Sequence, residues 1–99
     1  MKTLIFLLFF QYNIFLNGFD IRIDKYNTVH ITSIIKNDEY KKVIEIYRDS
    51  LLLTETITKN NLNFSLYLEP GKYIFISKVY YKNNKIIVKK SKITINGYK

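Results

Sequence analysis

The sequence predicts an all-β fold, a small β-sandwich of seven short strands, and three observations favour it. The chain has no alanine, the best helix former, but it has 16 isoleucines and 9 tyrosines, which suit strands. Apolar and polar residues alternate in short runs, and polar turns separate these runs at a spacing of roughly 8 to 12 residues. Segment 68–73 reads Leu-Glu-Pro-Gly-Lys-Tyr, a turn of the kind that carries a chain from one sheet of a sandwich to the other.

Length and composition restrict the number of domains and the possible covalent links. With 99 residues, the chain has room for one small domain. An apolar content of 47% is too high for a disordered chain. Because the chain has no cysteine, it can form no disulfide and cannot be anchored through a lipidated cysteine.

The N-terminus has the form of a secretory signal peptide, in which a positively charged start precedes an apolar run over residues 3–10. We place the signal peptide at 1–18, with cleavage after Asn17 or Gly18, and the sandwich domain at 19–99. This assigns the protein to the secretory pathway, either the lumen of the endoplasmic reticulum or the cell exterior. An uncleaved anchor is the alternative, although the apolar stretch is shorter than the ~20 residues that span a bilayer.

The first four predicted strands show the alternation of strands with one buried face, and they cover residues 19–24, 29–36, 41–48 and 51–58. The residues that we place on one face of their strand are Phe19, Ile21 and Ile23 in the first strand, Val29, Ile31, Ser33 and Ile35 in the second, and Ile44 and Ile46 in the third. The fourth strand is rich in leucine and in β-branched threonine and isoleucine.

The last three predicted strands cover residues 62–68, 73–82 and 85–96. The fifth strand alternates most cleanly, with apolar side chains at Leu62, Phe64, Leu66 and Leu68. The sixth and seventh are rich in β-branched and aromatic residues. We expect Asn83 and Asn84 to join them, because asparagine tolerates the left-handed conformations of a tight hairpin.

The predicted corner between the fifth and sixth strands rests on Leu68, Pro70, Gly71 and Tyr73. Proline presets a φ of about −65° for the second position of a type II turn, and Gly71 supplies the positive φ that the next position needs. Tyr73 then begins a core strand, as a tyrosine does at the corner of immunoglobulin-like sandwiches. We therefore expect the chain to cross between sheets at this point.

The same corner, together with the preceding strand, resembles a motif of known families. Its residues here are Phe64, Leu68, Pro70, Gly71 and Tyr73. On this motif, the stretch 43–97 resembles the prealbumin-like and carboxypeptidase-regulatory-like β-sandwiches. With an apolar N-terminus directly before the sandwich, the chain is similar to the family of subunit seven of the endoplasmic reticulum membrane protein complex. That resemblance implies a lumenal, non-catalytic part of a membrane-protein insertase. The C-terminal transmembrane helix of that family has no counterpart in these 99 residues.

Charge is distributed unevenly along the chain. All 8 acidic residues precede Pro70, whereas half of the 16 lysines and arginines follow it. The sixth and seventh strands thus carry a candidate surface for an anionic partner, made of Lys78, Lys82, Lys85, Lys89, Lys90 and Lys92. The alternative is that these lysines only keep an edge strand from pairing with other chains. Because the chain has only two arginines, we expect no nucleic-acid partner.

The sequence offers no catalytic, cofactor-binding or metal-binding residues, so we expect neither an enzyme nor a small-molecule substrate. His30 is the sole histidine and cysteine is missing, whereas metal sites need clusters of ligands. The chain has no glycine-rich phosphate loop and no nucleophile elbow. Asn63-Phe64-Ser65 is a sequon, which makes Asn63 a candidate for N-glycosylation.

These observations predict a non-enzymatic interaction module, lumenal or secreted, that binds a protein partner. The resemblance points to a subunit of the endoplasmic reticulum membrane-protein insertion complex. The alternative is a free extracellular module, either an adhesin-like domain or a small basic effector that binds anionic membranes or acidic partners.

Overall fold

The computed structural model describes the backbone of residues 10–96 and the side chains of residues 13–96. These residues form eight strands and no helix, and thus no helix that could cross a membrane. The strands are β1 (Phe10–Leu16), β2 (Phe19–Asp24), β3 (Thr28–Ser33), β4 (Glu39–Arg48), β5 (Leu51–Thr58), β6 (Leu62–Tyr67), β7 (Gly71–Tyr81) and β8 (Ile86–Ile95).

The strands form two antiparallel four-stranded sheets packed around one core, which confirms the predicted β-sandwich. The first sheet has the order β1-β2-β3-β6, and the second has the order β5-β4-β7-β8. Each of the seven predicted strands is present, with ends that differ by a few residues at most. The eighth strand, β1, was not predicted.

β1 pairs with β2 through a two-residue hairpin at Asn17-Gly18. Both turn residues have positive φ, 34° and 87°, which is the pattern of a type I′ turn. Leu16, next to the turn, is buried in the core, so β1 belongs to the sandwich. The predicted boundary between signal peptide and domain therefore lies in a hairpin turn. Residues 1–9 of the predicted signal peptide lie outside the described residues, and the signal peptide stays a prediction.

The core lies between the apolar sides of the two sheets. Its most deeply buried side chains are Phe19, Ile21, Ile23, Val29 and Ile31 from the first sheet, and Ile44, Ile46, Phe75, Val79 and Ile95 from the second. Leu68 and Tyr73, from the predicted corner, are buried with them. Burial of one such large apolar side chain stabilises the fold by about 1.5–3 kcal/mol. The alternation in β2 and β3 puts their apolar residues on one face, as predicted.

The side chain of Lys42, in β4, is buried between the sheets with 1% of its surface exposed. Its ammonium lies 3.2 Å from the carboxylate of Glu39 and donates to the carbonyl of Ile34 and the hydroxyl of Ser33, at 2.8 and 3.0 Å. Ser33 in turn donates to the carbonyl of Gly18, in the β1–β2 turn. These contacts tie the second sheet to one end of the first, and they give the buried charge the partners that it needs.

The predicted corner connects β6 of the first sheet to β7 of the second. Gly71 has a φ of 159°, so the expected type II turn, which needs about 80°, does not form. Instead, the hydroxyl of Tyr73 donates to the carbonyl of Glu69 at 2.5 Å. The Arg48 guanidinium donates to that hydroxyl and to the carbonyl of Pro70, each at 3.3 Å. A Cβ on Gly71 would lie 3.0 Å from this guanidinium, so the glycine permits its close approach.

The loop between β7 and β8 covers residues 82–85. Asn84 has a positive φ of 70°, and the side chain of Asn83 accepts a hydrogen bond from the N–H of Lys85 at 3.0 Å. The two asparagines thus act differently, one through its backbone and the other through its amide oxygen.

Candidate interaction surface

The outward side of the second sheet, which we call the amphipathic face, consists of four rows of paired residues that cross the sheet. From the β4–β5 turn onward, the rows are Leu52–Tyr47–Ile74–Lys92, Glu55–Glu45–Ile76–Lys90, Ile57–Val43–Lys78–Val88 and Lys41–Tyr80–Ile86. Residues paired across neighbouring strands point to the same side of a sheet. Every row therefore combines apolar and charged side chains on one surface.

Several large apolar side chains of the amphipathic face are exposed, namely Leu52, Ile57, Ile74, Ile86 and Val88. The sequence contains a signal for these exposed apolar side chains. β4 and β7 contain consecutive apolar residues, such as Val43-Ile44 and the run from Tyr73 to Ile76, in place of strict alternation. Strands with continuous apolar runs are typically covered on both faces. In the isolated chain, only the inward side of these strands is fully covered.

The centre of the amphipathic face holds an ion pair between Glu45 and Lys78, with nitrogen and oxygen 3.2 Å apart. The hydroxyl of Tyr47 donates to the same carboxylate at 3.3 Å. Burial opposes the ionisation of Glu45, but the hydrogen bond from Lys78 and other favourable contacts outweigh it and lower the pKa of Glu45. The same hydrogen bond raises the pKa of Lys78. Lys78 is therefore engaged within the chain.

Three exposed lysines on this side of β7 and β8 form no ion pair with a carboxylate of the described residues: Lys72, Lys90 and Lys92. Lys72 pairs across the strands with Thr94, one step beyond the row that contains Ile74 and Lys92. The charges of these three lysines are open to solvent and to a negatively charged partner.

The six lysines of the predicted anionic-partner surface do not lie together. Lys78, Lys90 and Lys92 lie on the amphipathic face. Lys89 pairs with Ser77, whose side chain is buried in the core, so Lys89 lies on the opposite side of β8. Lys82 and Lys85 lie in the β7–β8 loop, at the far end of the sheet. The structure adds Lys72, which we had not included in that surface.

A cavity of about 490 Å³ opens beside the β4–β5 turn, at the end of the amphipathic face. Its lining includes Tyr47 and Ile74, the two lysines Lys72 and Lys92, and Asp49 of the turn. The lining thus carries one more positive than negative charge beside an aromatic and an aliphatic side chain. Such a cavity suits a group that joins a negative charge to an apolar part.

The outward side of the first sheet, which we call the polar face, differs in composition. Its two longest rows are Asn13–Arg22–His30–Ser65 and Phe15–Asp20–Thr32–Asn63. Phe15 is the one large apolar side chain in these two rows. Asn63, the predicted glycosylation residue, is exposed on β6 at the edge of the sheet.

A chain of hydrogen bonds on the polar face joins a serine, a histidine and an aspartate. Nδ1 of His30 lies 2.8 Å from the hydroxyl of Ser65, and Nε2 lies 3.1 Å from the carboxylate of Asp24. That carboxylate also accepts the backbone N–H groups of Tyr26 and Thr28. Burial opposes the ionisation of Asp24, but the bond from His30 and the two N–H groups outweigh it and lower the pKa of Asp24. The three side chains come from separate strands, so their spacing in the sequence does not suggest that they meet.

No protein-family model, no curated protein and no solved structure matches this chain. Without a match, the resemblance at the corner stays a prediction.

The described residues contain no cluster of histidine and carboxylate side chains that could hold a metal ion.

Proposed function

We propose that the protein is a non-enzymatic interaction module that binds an anionic partner through its amphipathic face. One observation carries the proposal: exposed aliphatic side chains and unpaired lysines share this face, whereas the opposite face is mostly polar. Large contiguous apolar patches are rare on the surfaces of monomeric proteins and mark binding sites. Lysines beside such a patch orient a negatively charged partner and speed its association.

The two components of the face contribute differently to binding. Aliphatic side chains such as Ile74 and Ile57 lose contact with water when a partner covers them, which supplies affinity. Lys90 and Lys92 lie toward the β8 edge of the sheet, where ion pairs with a partner remain partly hydrated. Because salt screens such pairs, binding should weaken as the ionic strength rises. The net charge of +8 adds attraction at longer range.

We place the module in the secretory pathway and expect a protein partner there. The apolar N-terminal segment supports this setting, and the resemblance at the corner favours a lumenal subunit of the endoplasmic reticulum membrane-protein insertion complex. Mass spectrometry of the N-terminus, on protein purified from native cells, tests the setting. A chain that begins at Gly18 or Phe19 supports secretion with cleavage. A chain that keeps β1 and fractionates with the cytosol contradicts it.

A comparative pull-down from native cells tests the face itself. The full chain is compared with Lys90→Glu/Lys92→Glu and with a control, Arg22→Glu/Lys25→Glu, which makes the same change of charge on the first sheet and its β2–β3 turn. We expect a partner that the unmodified chain captures to be lost with the first variant and kept with the control. Equal capture by both variants would show that the partner binds elsewhere.

The hydrogen-bonded chain of Ser65, His30 and Asp24 allows a test of the non-enzymatic assignment. A serine nucleophile also needs donors arranged around the oxyanion that develops during acyl transfer. Ser65 instead lies exposed on an edge strand of an open sheet. We expect a fluorophosphonate probe not to label it. Labelling that disappears in both Ser65→Ala and His30→Ala would overturn the non-enzymatic assignment.

A further inference from the structure

Three adjacent leucines lie beside the β4–β5 turn, and we call them the leucine corner. Leu51, Leu52 and Leu53 expose 65%, 44% and 43% of their surface. On a regular strand, neighbouring side chains alternate between the two faces. A shift of register opposite Tyr47 interrupts the alternation here, and β5 is an edge strand, so all three leucines reach solvent. The result is an exposed apolar edge at one end of the amphipathic face.

The turn that presents the leucine corner reverses the chain tightly. Asp49 and Ser50 both have positive φ, 52° and 66°, as the central residues of a two-residue hairpin require. Glycine and asparagine adopt this conformation more readily than serine does. The tight turn makes Leu51 pair directly with Arg48, so the leucines begin at the very end of the sheet.

Two cations of the second sheet that form no ion pair with a carboxylate of the described residues lie at the same end of the molecule. Lys72 and Lys92 line the cavity beside the turn, and Asp49 is the one carboxylate in that lining. Arg48, also at this end of the second sheet, is engaged with the corner, since its guanidinium lies 3.7 Å from the carboxylate of Glu69. Free positive charge therefore lies at the same end of the second sheet as the leucine corner, on β7 and β8, which are two and three strands away from β5.

We infer that this end of the molecule docks on a lipid bilayer that contains anionic phospholipid. The leucine corner enters the interface, and Lys72 and Lys92 contact the lipid phosphates. The inference rests on the proposed function and adds a membrane contact at one end of the same face, which leaves the other rows available to a protein partner. Aliphatic side chains beside lysines have the composition of surfaces that bind at anionic membranes. A fluid bilayer can cover exposed leucines on an edge strand without a preformed pocket, which a protein partner would have to supply.

Co-sedimentation of the full chain with vesicles tests the role of the lysines. Vesicles of phosphatidylcholine are compared, at about 0.1 M salt where the screening length is about 10 Å, with vesicles that also contain phosphatidylglycerol. Lys72→Gln/Lys92→Gln should weaken binding to the anionic vesicles about 30-fold, as expected for two lysines at an anionic surface. The control is Lys82→Gln/Lys85→Gln, the same change of charge in the loop at the far end of the sheet. It should change binding by less than about threefold, because salt screens distant charges.

Tryptophan fluorescence tests insertion of the leucine corner directly, because the chain has no tryptophan of its own. The emission of Leu51→Trp should shift to shorter wavelength when anionic vesicles are added. Ile86→Trp, an exposed aliphatic position at the far end of the amphipathic face, is the control and should not shift. Both side chains are exposed, so neither substitution should disturb the core, and circular dichroism checks this.

Three results would overturn the membrane inference: no sedimentation with anionic vesicles, equal weakening by both pairs of glutamine substitutions, or equal shifts from both tryptophan positions. The proposed function has a separate readout. If vesicle binding fails while Lys90→Glu/Lys92→Glu still releases a captured protein, the interaction module stands and only the membrane contact is wrong.

Discussion

The two outward faces of the sandwich differ in kind, although both belong to antiparallel sheets of four strands. On the polar face, side chains such as His30 and Ser65 bond to one another. On the amphipathic face, Ile74 stays exposed beside Lys92, which forms no ion pair with a carboxylate of the described residues. Folding requires only that the inward side of each sheet be apolar. The exposed aliphatic side chains on the outward side of the second sheet therefore support the proposal that this face binds a partner.

The ion pairs of the two faces also differ in burial, and a third pair, between the sheets, is more buried than either of them. Side-chain exposures are 1% and 5% for Lys42 and Glu39, 32% and 6% for Lys78 and Glu45, and 51% and 31% for Arg22 and Asp20. Loss of one partner costs more when the charge left behind is more buried. The cost of mutation should thus fall from the interior to the amphipathic face and then to the polar face.

The largest effect is expected for Lys42→Met in the interior. The substitution leaves the buried Glu39 carboxylate without its ammonium partner and removes the bonds to Ser33 and Ile34, so it should lower the free energy of unfolding by about 3–5 kcal/mol. Urea denaturation measures the change. The double variant Lys42→Met/Glu39→Gln, which removes both charges, should recover part of the loss. A loss below about 1 kcal/mol for the single variant would contradict the expected increase of this cost with burial.

On the amphipathic face, Glu45→Ala should cost about 1–3 kcal/mol, because Lys78 is left half-buried without its partner. The effect should depend on pH. Since the pKa of Glu45 is lower in the folded chain than its ordinary 4.5, its contribution is present above that value and fades as the pH falls through the folded pKa. Urea denaturation at neutral and at acidic pH should show the variant approaching the parent in acid. A difference that does not change with pH would contradict the assignment.

On the polar face, Asp24→Ala should cost about 1 kcal/mol, through loss of the bonds from His30 and from the turn N–H groups. The pKa of Asp24 is also lowered, so its contribution holds above 3.8 and is lost in stronger acid. Thermal melts of the parent and the variant across the acidic pH range measure this loss. The acid loss for Asp24 should begin at lower pH than the loss for Glu45.

The smallest effect is expected for Arg22→Ala, also on the polar face. Its ion pair with Asp20 is mostly exposed, and exposed pairs contribute about 0.5 kcal/mol or less. Urea denaturation should give nearly the parent midpoint. If this variant cost more than Glu45→Ala, the ranking of the two faces would be reversed.

Most of the fold follows from local pattern, and β1 shows where that pattern becomes ambiguous. Inward and outward residues alternate strictly in β2, β3 and β6, so the buried faces of these strands can be identified from the sequence. Asn17-Gly18 is a strong hairpin signal, but its small residues also suit a cleavage site after an apolar segment. The structure pairs Leu16 with Phe19 across this turn and buries Leu16 in the core between the sheets, a tertiary contact that the local pattern does not show. The cleavage site stays a prediction.

The candidate surface was less predictable, because a face depends on the register between distant strands. The excess of lysine in β7 and β8 is visible in the sequence. The ion pair that engages Lys78 is not, since Glu45 precedes it by 33 residues. The leucine corner depends on a shift of register in β5, which the run of leucines does not reveal. Loss of alternation in β4 and β7 is the signal that could have identified this face.

Site-specific photo-crosslinking in native cells tests the central claim most directly. The full chain carries benzoylphenylalanine at Ile74, on the amphipathic face, or at Thr32, an exposed position on the polar face. We predict adducts with protein or lipid from position 74 and none above background from position 32. Adducts from position 32 alone, or equal yields from both positions, would contradict the claim that the amphipathic face is the binding surface.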